Sequence, residues 1–292
     1  MNRLAVAFGL AAGLALGCGS HAEPPAKPAP VAKTPSGIDP AAKLALETEV
    51  VGFLTKDGDN VPGTLVHATK PGKLPGIVLF AGSGPTDRDW NSKLITGTNG
   101  SGKLLAEALA SHGAVVLRFD KAQVGENRKQ LAGTTLDVYV DEASAALAYL
   151  RTRSDVDPSH LYLAGHSEGG IHVLRTAAVE GDRIAGVLLL SATARSLHQI
   201  LLAQIGAQLD QAAPAQKDAL LAPFAKALDD FVAGKPVDPK TATPVPGLQM
   251  LLANVTDPKI AALGRGLLEF DPLPVVAKLH VPVFVYNGAR DL

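Results

Sequence analysis

Five short stretches of the chain, residues 76–81, 114–119, 161–164, 185–190 and 281–286, are almost continuously apolar. A strand covered on both faces has no polar side to show, so the first four predict buried strands, and residues 281–286 predict the last strand. Between them the apolar period changes to that of a helix. Leu105, Ala108, Leu109 and His112 predict one helical face, starting at Ser101 as N-cap and ended by Gly113. Val140, Ala143, Leu147 and Leu150 predict a second face, in a helix beginning near Leu136, and Ile171, Leu174 and Ala178 a third. Ahead of these, residues 47–54 and 61–67 flank the turn Lys56-Asp57-Gly58-Asp59-Asn60 and predict an antiparallel hairpin. Strands alternating with helices of this length mean βαβ units and a parallel sheet.

From residue 192 to about 270 the rhythm is purely helical. Leu197, Leu201, Ile205 and Leu209 form one stripe, and Leu220, Phe224, Leu228 and Phe231 another. Inserted between strands, such a segment predicts a helical lid or a packed helical layer over the sheet's carboxyl edge. Residues 23–41 are rich in Pro, Ala and Lys without apolar period and read as an extended tether, so the folded domain is expected over residues 42–292.

At 292 residues and 47% hydrophobic, the chain can bury one full α/β core. A formal net charge of −1 leaves no basic stripe for nucleic acid. Cys18 is the single cysteine, which excludes an internal disulfide framework and a cysteine-based zinc site, and neither a metal nor a cofactor is expected. Its position carries more: Met1-Asn2-Arg3, an apolar run over residues 4–16, and Gly17-Cys18 form a secretory signal too short to span a membrane. The site resembles a bacterial lipobox with Cys18 as the lipidated residue, although Ala15 stands where leucine is usual. Ser20-His21-Ala22 offers an ordinary small-x-small cleavage site instead, and residues 1–22 are the expected signal peptide. Either route exports the protein, to the periplasm or outer membrane as a lipoprotein or as a soluble secreted form.

The chemistry concentrates where the strand at 161–164 meets the helix containing Ile171. Gly165-His166-Ser167-Glu168-Gly169 fits G-x-S-x-G, the sharp strand-to-helix turn that lifts a serine hydroxyl above a sheet. The Glu168 N–H then lies at a helix N-terminus, where it can help hold an oxyanion. A second donor is expected from the glycine-rich loop that follows residues 76–81, with the Ser83 N–H as candidate. Asp87, Arg88 and Asp89 in that loop are expected to lock it through ion pairs. Gly97-Thr98-Asn99-Gly100-Ser101-Gly102-Lys103-Leu104 falls short of a phosphate-binding loop, because Leu104 stands where a magnesium-ligating Ser or Thr is required.

Together, Gly82-Ser83-Gly84-Pro85-Thr86-Asp87-Arg88-Asp89, Arg118-Phe119-Asp120-Lys121, Gly165-His166-Ser167-Glu168-Gly169-Gly170, Ser191-Ala192-Thr193-Ala194-Arg195 and Gly288-Ala289-Arg290-Asp291 resemble the α/β-hydrolase superfamily, and within it bacterial esterases and serine-aminopeptidase-like hydrolases. Ala122-Gln123 departs from the Arg-Gly usual after Asp120-Lys121. The resemblance implies an α/β-hydrolase fold, a mostly parallel sheet flanked by helices with a lid insertion. It also implies Ser167 as nucleophile and Asp291 as triad acid. The order Ser–Asp–His places the base after Asp291, whereas His21, His67, His112, His160, His166, His172, His198 and His280 all precede it. The expectation is therefore a chain lacking the last strand, its helix and the histidine loop. The implied activity is serine hydrolysis of small or medium acyl esters through an acyl-enzyme, with a small-molecule ester or amide as partner. A serine aminopeptidase or acyltransferase on the same scaffold, or a surface-tethered binding protein with a dead site, are the alternatives.

Overall fold

The computed structural model describes residues 44–70, 72–93 and 96–289. Cys18, the signal and tether segments, and Asp291 lie outside the described residues. The hairpin forms as predicted: β1 (Leu46–Leu54) and β2 (Asn60–Ala68) pair antiparallel from Leu46↔Ala68 to Leu54↔Asn60. The alternating units follow as β3 (Leu74–Phe80), α1 (Ser101–Ser111), β4 (Val115–Phe119), α2 (Asp137–Thr152), β5 (Val156–His166), α3 (Gly169–Glu180) and β6 (Gly186–Leu190). A helical segment then runs through α4 (Leu197–Ala212), α5 (Lys217–Val232), α6 (Pro239–Ala242), α7 (Pro246–Val255), α8 (Ala261–Glu269) and α9 (Leu273–Val276) before β7 (Val283–Tyr286).

The seven strands form one sheet in the order β1-β2-β4-β3-β5-β6-β7, with β1, β2 and β4 linked antiparallel and the rest parallel. From β3 the chain steps to one side to make β4, then returns past β3 to make β5. Such a reversal opens a crevice at the carboxyl ends of the strands, the usual ligand position in α/β sheets. Helices cover both faces. Val78, Phe80 and Leu117 face α2 and α3 in the larger core, whereas Ile77, Leu79 and Val116 face α1. Leu201, Ile205, Phe224, Leu228 and Leu252 form a third apolar cluster inside the helical layer itself. That layer thus has its own core, as the two predicted stripes require.

Four local expectations are corrected. The buried face of α1 is Gly102, Ala106 and Ala110, while Ala108 and His112 are exposed, because small residues let the helix lie close under Trp90. Ser101 is the first helical residue rather than the cap: Gly100 takes that place at φ 57, and the Asn99 side chain accepts the Ser101 N–H. On α3 the buried alanine is Ala177, with Ala178 exposed. β5 also begins earlier than its apolar run. It pairs with β3 at Leu74↔Val156 and Pro75↔Asp157, then jumps to Gly76↔Leu161, leaving residues 158–160 as a bulge.

Candidate active site

Ser167 stands on the turn between β5 and α3 with φ 52, a left-handed conformation that a residue with a side chain adopts at a cost of about 1–2 kcal/mol. The turn is closed by backbone bonds from the Ser167 N–H to the Leu190 carbonyl and from the Gly170 N–H to the Ser167 carbonyl. A Cβ on Gly165 would come within 2.3 Å of the Gly169 carbonyl oxygen, and one on Gly169 within 2.7 Å of both the Phe80 and Ala81 oxygens. Hydrogen at these two positions is what lets α3 start against the end of β3. The spacing G-x-S-x-G is therefore imposed by backbone contact.

The exit of β3 lies directly on this turn. Phe80 pairs with Gly165, and a Cβ on Gly82 would lie 3.4 Å from the Ser167 Cβ and 3.3 Å from the His166 carbonyl oxygen. Ser83, Ser167 and Glu168 are thus brought together at one edge of the sheet. Among the described residues, none accepts a hydrogen bond from the Ser83 or Glu168 backbone N–H.

The loop from Gly82 to Trp90 is held rigidly. The Thr86 hydroxyl donates to the Ser83 carbonyl at 2.7 Å, and the Asp87 carboxylate accepts the Asp89 and Asn91 N–H groups at 2.9 Å each. Arg88 pairs with Asp120 at 2.7 Å and with Glu126, and Arg118 pairs with Asp89 at 2.7 Å. The expected ion pairs form for Arg88 and Asp89, while Asp87 instead caps the turn. The substituted Ala122-Gln123 pair leaves a mark on the neighbouring loop: Gln123 sits at φ 63, where a glycine would be unstrained.

Beneath the turn lies a buried ionisable cluster drawn from four elements. The Lys121 ammonium, 3% exposed, donates to the Gly82 carbonyl and stands 4.0 Å from the Glu168 carboxylate. Glu168 is 3.3 Å from His172 Nε2, and the His172 ring packs on Tyr139 at 4.4 Å and on Phe80 at 4.9 Å. Glu142 accepts the Ala122 N–H at 3.1 Å and the Asn127 amide at 2.7 Å. Burial lowers the Lys121 and His172 pKa values against the pull of Glu168. At Glu168 the burial penalty is outweighed by the His172 hydrogen bond and the Lys121 charge, so its carboxyl titrates below the usual range. Burial pushes Glu142 up to about 7.

Residues 98–240, which include this turn, match the profile of the family described as "Serine aminopeptidase, S33". Esterase EstD of Thermotoga maritima is 26% identical over 239 residues, covering 80% of this chain and 50% of that protein. Cutinase 2 of Thermobifida cellulosilytica is 36% identical over 126 residues, covering 41% of this chain and 46% of that protein. The chain thus spans about half the length of these curated relatives. The solved structure of the α/β hydrolase GrgF from Penicillium sp. sh18 superposes with a TM-score of 0.51 at 17% identity, over 82% of this chain and 79% of that one. The chain is an α/β-hydrolase by fold.

A hypothetical protein from Pseudomonas aeruginosa shares this α/β-hydrolase fold with a TM-score of 0.53 at 18% identity, over 86% and 80% of the two chains. Within the α/β-hydrolase frame, five described histidines are held by partners other than Ser167. His67 pairs with Glu49, His112 with the Ala108 carbonyl, His160 with Asp157, His172 with Glu168, and His198 with Asp229 across α4 and α5. His160 lies inside the β5 bulge, at the amino edge of the sheet. His166 stacks on Trp90, centroids 5.0 Å apart and planes 23° from parallel. Nothing in the sequence pattern marks Glu142 or the pairing of His172. Trp90 carried a faint signal, as the one tryptophan at the end of a glycine-rich loop.

Proposed function

We propose that the protein is a serine hydrolase that cleaves small or medium carboxylic esters through an acyl-enzyme. The observation that carries this reading is Ser167, held at positive φ on the β5–α3 turn beside the Ser83 and Glu168 N–H groups, from which no described residue accepts a hydrogen bond. The Ser167 oxygen attacks the ester carbonyl, and its proton passes to a histidine that the order Ser–Asp–His places after Asp291 and that Asp291 orients. The carbonyl oxygen becomes an oxyanion between the two N–H groups. The base then protonates the leaving alcohol, and water repeats the sequence to release the acid and the free serine. Positioned donors of this kind lower the barrier because they need no reorganisation as charge develops. The esterase and cutinase names of the relatives support an ester as substrate. The family description of residues 98–240 supports amide hydrolysis as a second reading.

The reading extends to export, with residues 1–22 as signal peptide and Cys18 as the lipid attachment residue. Cys18→Ser should then move the protein from the membrane fraction to the soluble one. For the activity, hydrolysis of p-nitrophenyl butyrate should be measured beside that of an aminoacyl p-nitroanilide. Ester turnover should dominate, and Ser167→Ala should lower it by about 10⁴-fold or more. Full ester turnover in Ser167→Ala would overturn the assignment, and dominant anilide turnover would move it to a peptidase.

A further inference from the structure

Lys121 is placed where a lysine is expensive. An ammonium group almost wholly removed from water needs compensating partners, and long cationic side chains normally keep their charge in solvent. Here the described partners are few and all belong to the site: the Gly82 carbonyl, the Glu168 carboxylate at 4.0 Å, and the face of Tyr139 at 6.0 Å. The same β4 exit also grips the other end of the β3 loop, because the Asp120 carboxylate accepts the Arg88 N–H at 2.8 Å. Asp120 and Lys121 therefore clamp one loop at both its ends.

What the lysine end of the clamp fixes follows from the peptide bond. A trans peptide is planar, so its C=O and the next residue's N–H point in opposite directions. Holding the Gly82 oxygen down into the buried cluster turns the Ser83 N–H up, towards the side on which Ser167 stands. A cationic donor on that carbonyl also polarises the peptide and strengthens its N–H as a donor. The other proposed donor belongs to Glu168, whose side chain faces the same ammonium. Both donors are thus tied to one buried charge. We propose that Lys121 is a positioning residue of the oxyanion hole, acting through the Gly82–Ser83 peptide and never touching substrate. This rests on the reading of Ser167 as nucleophile.

The test is Lys121→Met, which keeps an unbranched apolar stem and removes the charge and donor. Active serine should be counted by end-point fluorophosphonate labelling, and kcat expressed per labelled site. Removing a donor outright costs roughly 10²–10³ in kcat, so mis-aiming one should cost about 10–100-fold. KM should stay within about twofold, because the ground-state ester does not depend on the hole. Affinity for a trifluoromethyl ketone, which forms a tetrahedral adduct, should fall in step with kcat. A purely structural lysine would lower the labelled fraction and leave kcat per site and the ketone affinity intact, which would overturn the proposal. Ser83→Pro provides the second arm, since it deletes the N–H while every side chain of the buried cluster is retained. It should lose at least as much kcat as Lys121→Met, and full kcat in Ser83→Pro would also overturn the proposal. Failure of the underlying reading shows separately, as ester hydrolysis that survives Ser167→Ala.

Discussion

Gly169→Ala is the sharpest probe of how the turn is built. The new methyl would lie 2.7 Å from the Phe80 and Ala81 carbonyl oxygens, and ordinary contact begins at 3.4 Å. Both neighbours are backbone at the end of a central strand, so no side chain can swing aside. Either α3 or the β3 exit must retreat by about 0.7 Å to restore contact distance. Overpacking of this kind typically costs about 1–3 kcal/mol, reduced by at most about 1 kcal/mol from alanine's better helix propensity. For a domain of this size each net kcal/mol lowers Tm by roughly 2–4 °C. The same displacement separates Ser83 from Ser167, and misplacements approaching 1 Å cost up to about 10²-fold in rate. Differential scanning calorimetry and ester turnover on one preparation should therefore show both losses together. A Gly169→Ala protein with unchanged Tm and unchanged kcat would refute the close β3–α3 contact.

Gly206→Ala in α4 should behave oppositely, because its methyl meets Lys217 and Leu221 at 3.5 and 3.6 Å, and it should raise stability by about 0.5–1 kcal/mol with activity intact. Ser167→Gly should abolish turnover yet raise Tm in calorimetry, since it releases the left-handed strain at φ 52. Glu142 should make stability pH-dependent. Its folded pKa of about 7 lies above the unfolded carboxyl value, so the folded state holds the proton more tightly, and stability falls as pH rises from about 4.5 to 7, then levels. The shift corresponds to at most about 3 kcal/mol, and Glu142→Gln should flatten that segment in urea titrations.

Much of the fold is legible in the sequence because burial on both faces leaves runs such as Ile77–Phe80 and Val115–Leu117 with no polar choice. The helical stripes of α2, α4 and α5 are equally plain, being built mostly from large apolar side chains. The packing face of α1 is not, since Gly102, Ala106 and Ala110 carry little hydrophobic signal and owe their burial to Trp90 lying over Gly102 and to the sheet beneath the two alanines. The start of β5 hides behind the polar bulge at 158–160, which breaks the period that marks a strand. At the site, Gly165 and Gly169 can be read because backbone contact forces their identity. Glu142 and His172 cannot, because each alone reads as a solvent residue; Lys121 stands in a motif, but its burial depends on three elements closing around one point.

The most direct test of the account is covalent. A fluorophosphonate probe should be added to the protein, and the labelled peptide mapped by mass spectrometry. The account predicts one stoichiometric adduct on Ser167, blocked by prior incubation with a short-chain ester and absent from Ser167→Ala. An adduct on another residue, or none on a protein that still turns over the ester, would contradict it.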